Sequence, residues 1–232
     1  MSIHHGHRQR LKERFRKEGL DNFDDLYVLE LLLFYCIPRV DTNPLAHRLL
    51  DHFGSLTAVL DASAEELEKV EGMGTNASTF LTLITQVGRY YQVKRSEAGR
   101  ILPRLDDCGE YLKPYFLGRD RETVFLLCLD AKCKVICCKL VGEGSVNSAN
   151  VPIRRVVEIA LASNATTVVL AHNHPSGLAI PSADDIQTTY RVAAALHAVE
   201  VTLADHVVVS NEDYVSMVQS CYFNPQEVHK IM

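Results

Sequence analysis

The sequence predicts an all-α segment followed by an α/β unit built on a mixed sheet. Three observations predict it. Up to about residue 95, apolar side chains recur at helical spacing and no strand pattern appears. Beyond residue 100, short apolar runs, β-branched in part, alternate with helical stretches. The most apolar of these runs, Thr166 to Ala171, leads straight into His172-Asn-His174-Pro175. The chain has 232 residues, 47% of them hydrophobic and 23% charged, with a formal net charge of −5. That composition is ordinary for a globular protein and excludes a disordered, collagen-like or coiled-coil chain. A globally basic nucleic-acid wrapper is excluded as well.

The elements follow in order. Residues 1–18 are basic, with Leu11 and Phe15 four apart on an amphipathic helix. Leu26, Leu29, Leu33 and Phe34 make a second stripe, and Leu45, Leu49, Leu50 and Phe53 a third. Asp41-Thr-Asn-Pro44 starts that third helix, since an early Pro lacks only an N–H that needs no partner there. Gly54 closes it. Ser63-Ala-Glu-Glu66 spells a capping box. Gly72-Met-Gly74 breaks the chain before a helix of roughly Asn76 to Arg95. Residues 95–100 read as a linker, which divides the chain into an all-α domain, 1–97, and an α/β domain, 101–232.

In the second domain Thr123–Leu129 and Val135–Val141 flank a polar turn and read as a hairpin, with Gly142-Glu-Gly144 ending its second strand. Ile153 to Leu161 is helical, Thr166–Ala171 a buried strand, Ser182 to Ala198 a helix and Val201 to Val209 a strand. No apolar run is long enough to span a bilayer, and the start lacks the apolar core of a signal peptide. Seven cysteines without regular spacing predict reduced thiols and a cytoplasmic protein. Cys133, Cys137 and Cys138 read as small buried hydrophobes, with Cys137 and Cys138 on opposite strand faces. His4, His5 and His7 form a short cluster fit for adventitious metal binding at most.

The chemistry concentrates at His172-Asn-His174-Pro175, then six residues, then Ser182-Ala-Asp-Asp185. Side chains alternate along an extended chain, so His172 and His174 point the same way and Asn173 points away. Pro175 stops the strand and Gly177 lets the chain turn. Asp185 stands one turn into the next helix. Two imidazoles and one carboxylate are three protein ligands, which leaves a fourth tetrahedral position for water, the mark of a catalytic zinc. Ser182-x-x-Asp185 also fits a capping box in which Asp185 serves only its own helix. Spacing alone does not separate ligand from cap.

HNHPSG with its downstream SxxD resembles the JAMM pattern, H-x-H-P-x6-S-x2-D, of JAB/MPN metalloproteases. More closely the chain resembles the RadC family, the class named as DNA repair proteins. LAHNHPSG and Leu203-Ala-Asp205-His206 carry that resemblance, as do HGHRQRLKERF, ELLLFY and DTNPLAHRLL in the first half. It covers nearly the whole chain. The resemblance implies a JAB/MPN-type, cytidine deaminase-like mixed sheet with flanking helices, preceded by a small helix-hairpin-helix-like domain. It also implies Zn2+ bound by His172, His174 and Asp185.

The expected activity is hydrolysis of an amide, a peptide or isopeptide bond of an unidentified substrate, by zinc-activated water. Ser182 is placed to donate to an oxyanion. JAMM proteins use an upstream Glu as proton shuttle. Glu122, before the strand TVFLLCLD, is the candidate here and Glu143 the rival. One of Asp205 and His206 is expected either to steer a ligand histidine or to be a satisfied core residue. The alternative readings are a DNA-binding repair factor or a nuclease. DNA would be met through residues 1–97, where Glu71-Gly-Met-Gly74 resembles the hairpin of a helix-hairpin-helix. Thr75, Asn76 and Ala77 stand where such hairpins carry a basic residue.

Overall fold

The computed structural model describes residues 3–95, 99–144, 151–175, 177–210 and 213–230, with the backbone alone at 3–5, 229 and 230. Linker positions 96–98, Ser176 and the side chains of His4 and His5 lie outside the described residues. The chain divides into two compact units, Met1–Gly88 and Arg89–Met232.

The first unit is helical: α1 (Ile3–Glu18), α2 (Asp25–Cys36), α3 (Asn43–Phe53), α4 (Leu56–Asp61), α5 (Ala64–Leu67) and most of α6 (Thr75–Arg95). Most of the second and third apolar stripes meet in one core, with Leu29, Leu33, Leu49, Leu67 and Leu81 fully buried, whereas Leu11 and Phe34 bury in a smaller cluster with Leu31, and Phe15, expected beside Leu11, is exposed. Local signals set the helix ends. Asp24 accepts from the Tyr27 amide at the start of α2, and Ser63 and Glu66 form the reciprocal capping box of α5. Gly54 closes α3 in the left-handed region at φ 87°. Gly72, at φ 97°, has the Arg48 guanidinium 3.0 Å from where a Cβ would stand. Arg48 Nε also donates to the Glu71 carbonyl. Glu30 is fully buried and takes the His7 Nε2 at 3.1 Å from both carboxylate oxygens, which ties α1 to α2. That buried pair was not foreseen.

The second unit is a three-layer α/β fold. Its sheet has five strands: β1 (Glu122–Leu129), β2 (Val135–Gly144), β3 (Thr167–Asn173), β4 (Thr202–Val209) and β5 (Tyr214–Ser216). They lie in the order β2-β1-β3-β4-β5. Only β3 and β4 pair in parallel, so the sheet is mixed. Alternation assigns each strand's side chains to two faces. Leu126, Cys128, Val168 and Leu170 face α8 (Ile153–Ala162) and α9 (Ala183–His197). Phe125, Leu127, Val169 and Ala171 face α7 (Leu105–Leu112) and the 3-10 turn Lys113–Phe116. Cys137 and Cys138 divide between the same two faces, and all seven cysteines are free. Helix α7 and strand β5 escaped the sequence reading. Among the described residues, no helix is long and apolar enough to cross a membrane.

Two departures from regularity position the site. Strand β3 runs on past Ala171, so His172 and Asn173 are strand residues. In β4 the pairing shifts by one, with Val168 opposite Leu203 and Val169 opposite Asp205. The extra residue, Ala204, reverses the alternation. Leu203 and Val208, of opposite parity, therefore share the α8/α9 face. His206 goes to that face too.

Helix α7 docks through Gly109. A Cβ there would fall 2.1 Å from the Tyr214 ring. Gly109→Ala is expected to destabilise the second unit by about 1–3 kcal/mol through overpacking. That outweighs the ~1 kcal/mol by which Ala favours a helix interior over Gly. A chemical-denaturation midpoint that rises would refute this packing.

Candidate metal centre

Strand β3 and helix α9 build the site between them. Val168, Leu170 and His172 share the face that α9 covers, so the strand carries His172, almost wholly buried, toward the start of that helix. The chain leaves the strand after Asn173, and His174 follows with its ring edge-on to that of His172. Ser182 caps α9. Asp185, in the first turn, is buried at the helix end where backbone N–H groups favour negative charge.

The Asp185 carboxylate divides its work. Oδ2 accepts from the Ser182 amide at 2.7 Å and from the Ser182 hydroxyl at 2.6 Å. The Asp185 amide donates to Ser182 Oγ, which closes the capping box. Oδ1 is buried without a hydrogen-bond partner among the described residues, 3.2 Å from His172 Nε2. Cap and candidate ligand are thus two ends of one carboxylate.

His172 Nε2 lies 3.0 Å from His174 Nε2, and His174 Nε2 lies 3.6 Å from Asp185 Oδ2. One atom each from His172, His174 and Asp185 falls within a 4.8 Å cluster that could hold a metal ion. The fit can be judged from the donors. His174 Nδ1 faces the Leu178 carbonyl at 3.2 Å. A carbonyl only accepts, so the proton of neutral His174 belongs on Nδ1 and Nε2 is a bare lone pair. Two imidazole nitrogens and an unpartnered carboxylate oxygen then converge, a donor set that a cation can share. Tetrahedral ligands at about 2.0–2.2 Å from a zinc would stand roughly 3.3–3.6 Å apart. The two His172 contacts, 3.0 and 3.2 Å, are a little shorter than that, while the whole set lies within 4.8 Å.

The titration behaviour has the same cause. Burial pushes His172 down to about 4, against the pull of the Asp185 charge and with the help of His174. Burial works to raise Asp185, but the His174 hydrogen bond, the His172 charge and the two Ser182 bonds hold it well below the carboxylate range. His174 is raised, chiefly because Asp185 accepts from it. A proton is the smallest cation these atoms can share.

Glu122 opens β1 and is half-buried. Burial raises its carboxyl, the Asp185 charge adds to that, and His174 opposes it. It therefore feels two of the three candidate ligands. Glu143 sits on β2 opposite Thr123, is exposed, and meets Arg119 Nη1 at 3.5 Å. Asn173 does turn away from His172. Its Oδ1 accepts from the Thr123 amide at 2.8 Å and its Nδ2 donates to the Arg121 carbonyl. It thereby clamps both backbone neighbours of Glu122. Asp205 and His206 separate: Asp205 accepts from Ser216 Oγ and the Val218 amide, whereas His206 Nε2 meets His172 Nδ1 at 2.8 Å.

Asn173→Ala should leave the buried Thr123 amide unpaired, at about 1–3 kcal/mol. Hydrogen exchange at that amide should accelerate in the otherwise folded variant. Unchanged protection there would show that the clamp does not hold β1.

Residues 102–222 match the family described as RadC-like JAB domain. A UPF0758 protein of Fusobacterium nucleatum subsp. nucleatum is 31% identical over 92% of this chain and 95% of its own length. A UPF0758 protein of Ruegeria pomeroyi is 36% identical over 88% of this chain and 91% of its own length. The domain match, the two full-length likenesses and the mixed sheet agree: the chain belongs to the RadC family, with a JAB domain at its C-terminal end.

Proposed function

We propose that the protein is a zinc-dependent hydrolase of the JAMM type that cleaves an amide bond, peptide or isopeptide. The observation that carries the reading is the unpartnered Asp185 Oδ1 in one cluster with His172 Nε2 and His174 Nε2. His172, His174 and Asp185 would hold the ion. Bound there, zinc supplies a Lewis acid and a water acidified toward pKa ~7.

The chain's own residues carry the rest. Glu122 is the proton shuttle in this reading: it takes the proton from the attacking water and returns it to the leaving amine. Burial, which raises its carboxyl, favours a group that takes up a proton more readily than a solvated carboxylate. Ser182 keeps Asp185 in place through its hydroxyl. By turning that hydroxyl outward it would donate to the oxyanion. A JAB domain and free cysteines throughout support a hydrolase of a reducing compartment such as the cytoplasm.

The full-length protein, loaded with zinc, should contain about one ion per chain by metal analysis. His172→Ala should lose most of it while its helical circular dichroism persists. Equal zinc in both would overturn the ligand assignment. With peptide and isopeptide substrates, Glu122→Gln should retain zinc and lose turnover by about 10²–10⁴-fold. Ser182→Ala should retain zinc and lose roughly 10²–10³-fold. Glu143→Gln should change turnover little, and a larger loss there than at Glu122 would reverse the assignment of the shuttle.

A further inference from the structure

We infer that Thr189 and His206 form a hydrogen-bond relay that keeps the proton of His172 on Nδ1 and so leaves Nε2 free to bind a metal ion. The inference rests on the metal-centre reading above and concerns two positioning residues that touch neither the ion nor a substrate.

The relay follows from counting protons along a buried line of contacts. Thr189 Oγ1 stands 2.6 Å from the Asp185 carbonyl and 2.6 Å from His206 Nδ1. A carbonyl can only accept, and at 2.6 Å it is a nearer and stronger acceptor than Met217 Sδ at 3.6 Å, so the single hydroxyl proton points back along α9 to Asp185. The lone pair of Oγ1 then faces His206 Nδ1, and that nitrogen carries its ring's proton. His206 is buried at 1% exposure with Thr189 and His172 as its ring partners, so the proton facing Thr189 is the one its neutral imidazole carries. Its Nε2 is therefore an acceptor. His172 Nδ1, 2.8 Å away, donates to it. The proton of His172 is thereby placed on the side away from the site, and Nε2 opens toward His174 and Asp185.

His174 reaches the same state by a simpler route, donating Nδ1–H to the Leu178 carbonyl. His172 has no carbonyl in that position, because its ring lies inside the sheet–helix layer among side chains. The relay substitutes for one. It also ends on the backbone of Asp185, so two candidate ligands are tied to each other from behind.

The test begins on metal-free protein. Long-range ¹H–¹⁵N correlation spectra of ¹⁵N-histidine protein distinguish the two tautomers of each ring. His172 and His206 should both appear protonated at Nδ1 in the wild type. Thr189→Val removes the acceptor at nearly constant volume. His206 should then shift its proton to Nε2 and drive His172 toward the Nε2–H form. Zinc affinity, measured by chelator competition, should fall by about 10- to 100-fold. Thr189→Ser should restore both readouts. If the valine variant does not fold, His206→Gln against His206→Leu asks the same question, since Gln keeps an acceptor for His172 Nδ1 and should bind zinc more tightly than Leu. An unmoved His172 tautomer with undiminished zinc affinity in Thr189→Val, or equal affinity in the Gln and Leu variants, overturns the relay. A wild type that takes up no zinc while its His172 tautomer still follows Thr189 upholds the relay and overturns the metal-centre reading instead.

Discussion

A buried cluster of two imidazoles and a carboxylate that could hold a metal ion is the constraint around which the candidate site is organised. His172 Nε2 stands about 3 Å from both His174 Nε2 and Asp185 Oδ1 in a corner between β3 and α9. Left to themselves such groups would turn apart or find donors. Each is instead held from behind: His172 by His206, His174 by the Leu178 carbonyl, and Asp185 by Ser182. Bonds that hold three polar groups toward a common centre cost stability unless each finds a partner there. Functional sites are where such locally unfavourable arrangements concentrate.

The sheet supplies the precision that this demands. Strand β3 lies in the middle of five strands, and its side chains are sorted strictly between two faces. The α9 face receives His172 and the other receives Asn173, whose amide then fastens the start of β1 beneath Glu122. One strand end thus places a candidate ligand and, through its neighbour, a candidate proton shuttle. The bulge at Ala204 completes the arrangement by bringing His206 to the face of His172.

Much of this was legible in the sequence, for physical reasons that differ by element. The hairpin of β1 and β2 was visible because apolar runs flank a polar turn. The β3 run was visible because a strand buried on both faces reads as unbroken Val and Leu. The Ser182–Asp185 spacing was visible too, but ligand and cap predict the same spacing. Only the structure shows one carboxylate oxygen in each environment. Strand β5 has three residues, too few for periodicity to speak. Helix α7 is short and carries Gly109 in its interior, a poor helix former kept for close approach to Tyr214. Asp205 against His206 could not be decided because a bulge leaves no signature in the side-chain pattern. Thr189 belongs to no motif at all, and only its distance to His206 gives it a part.

The central claim is that His172, His174 and Asp185 share one zinc ion. The most direct measurement is an anomalous difference map from a zinc-loaded crystal, collected on either side of the zinc absorption edge. The account predicts a single strong peak at about 2.0–2.2 Å from His172 Nε2, His174 Nε2 and Asp185 Oδ1. A zinc peak elsewhere in the chain, with those three atoms in hydrogen bonds to one another or to water, would contradict it.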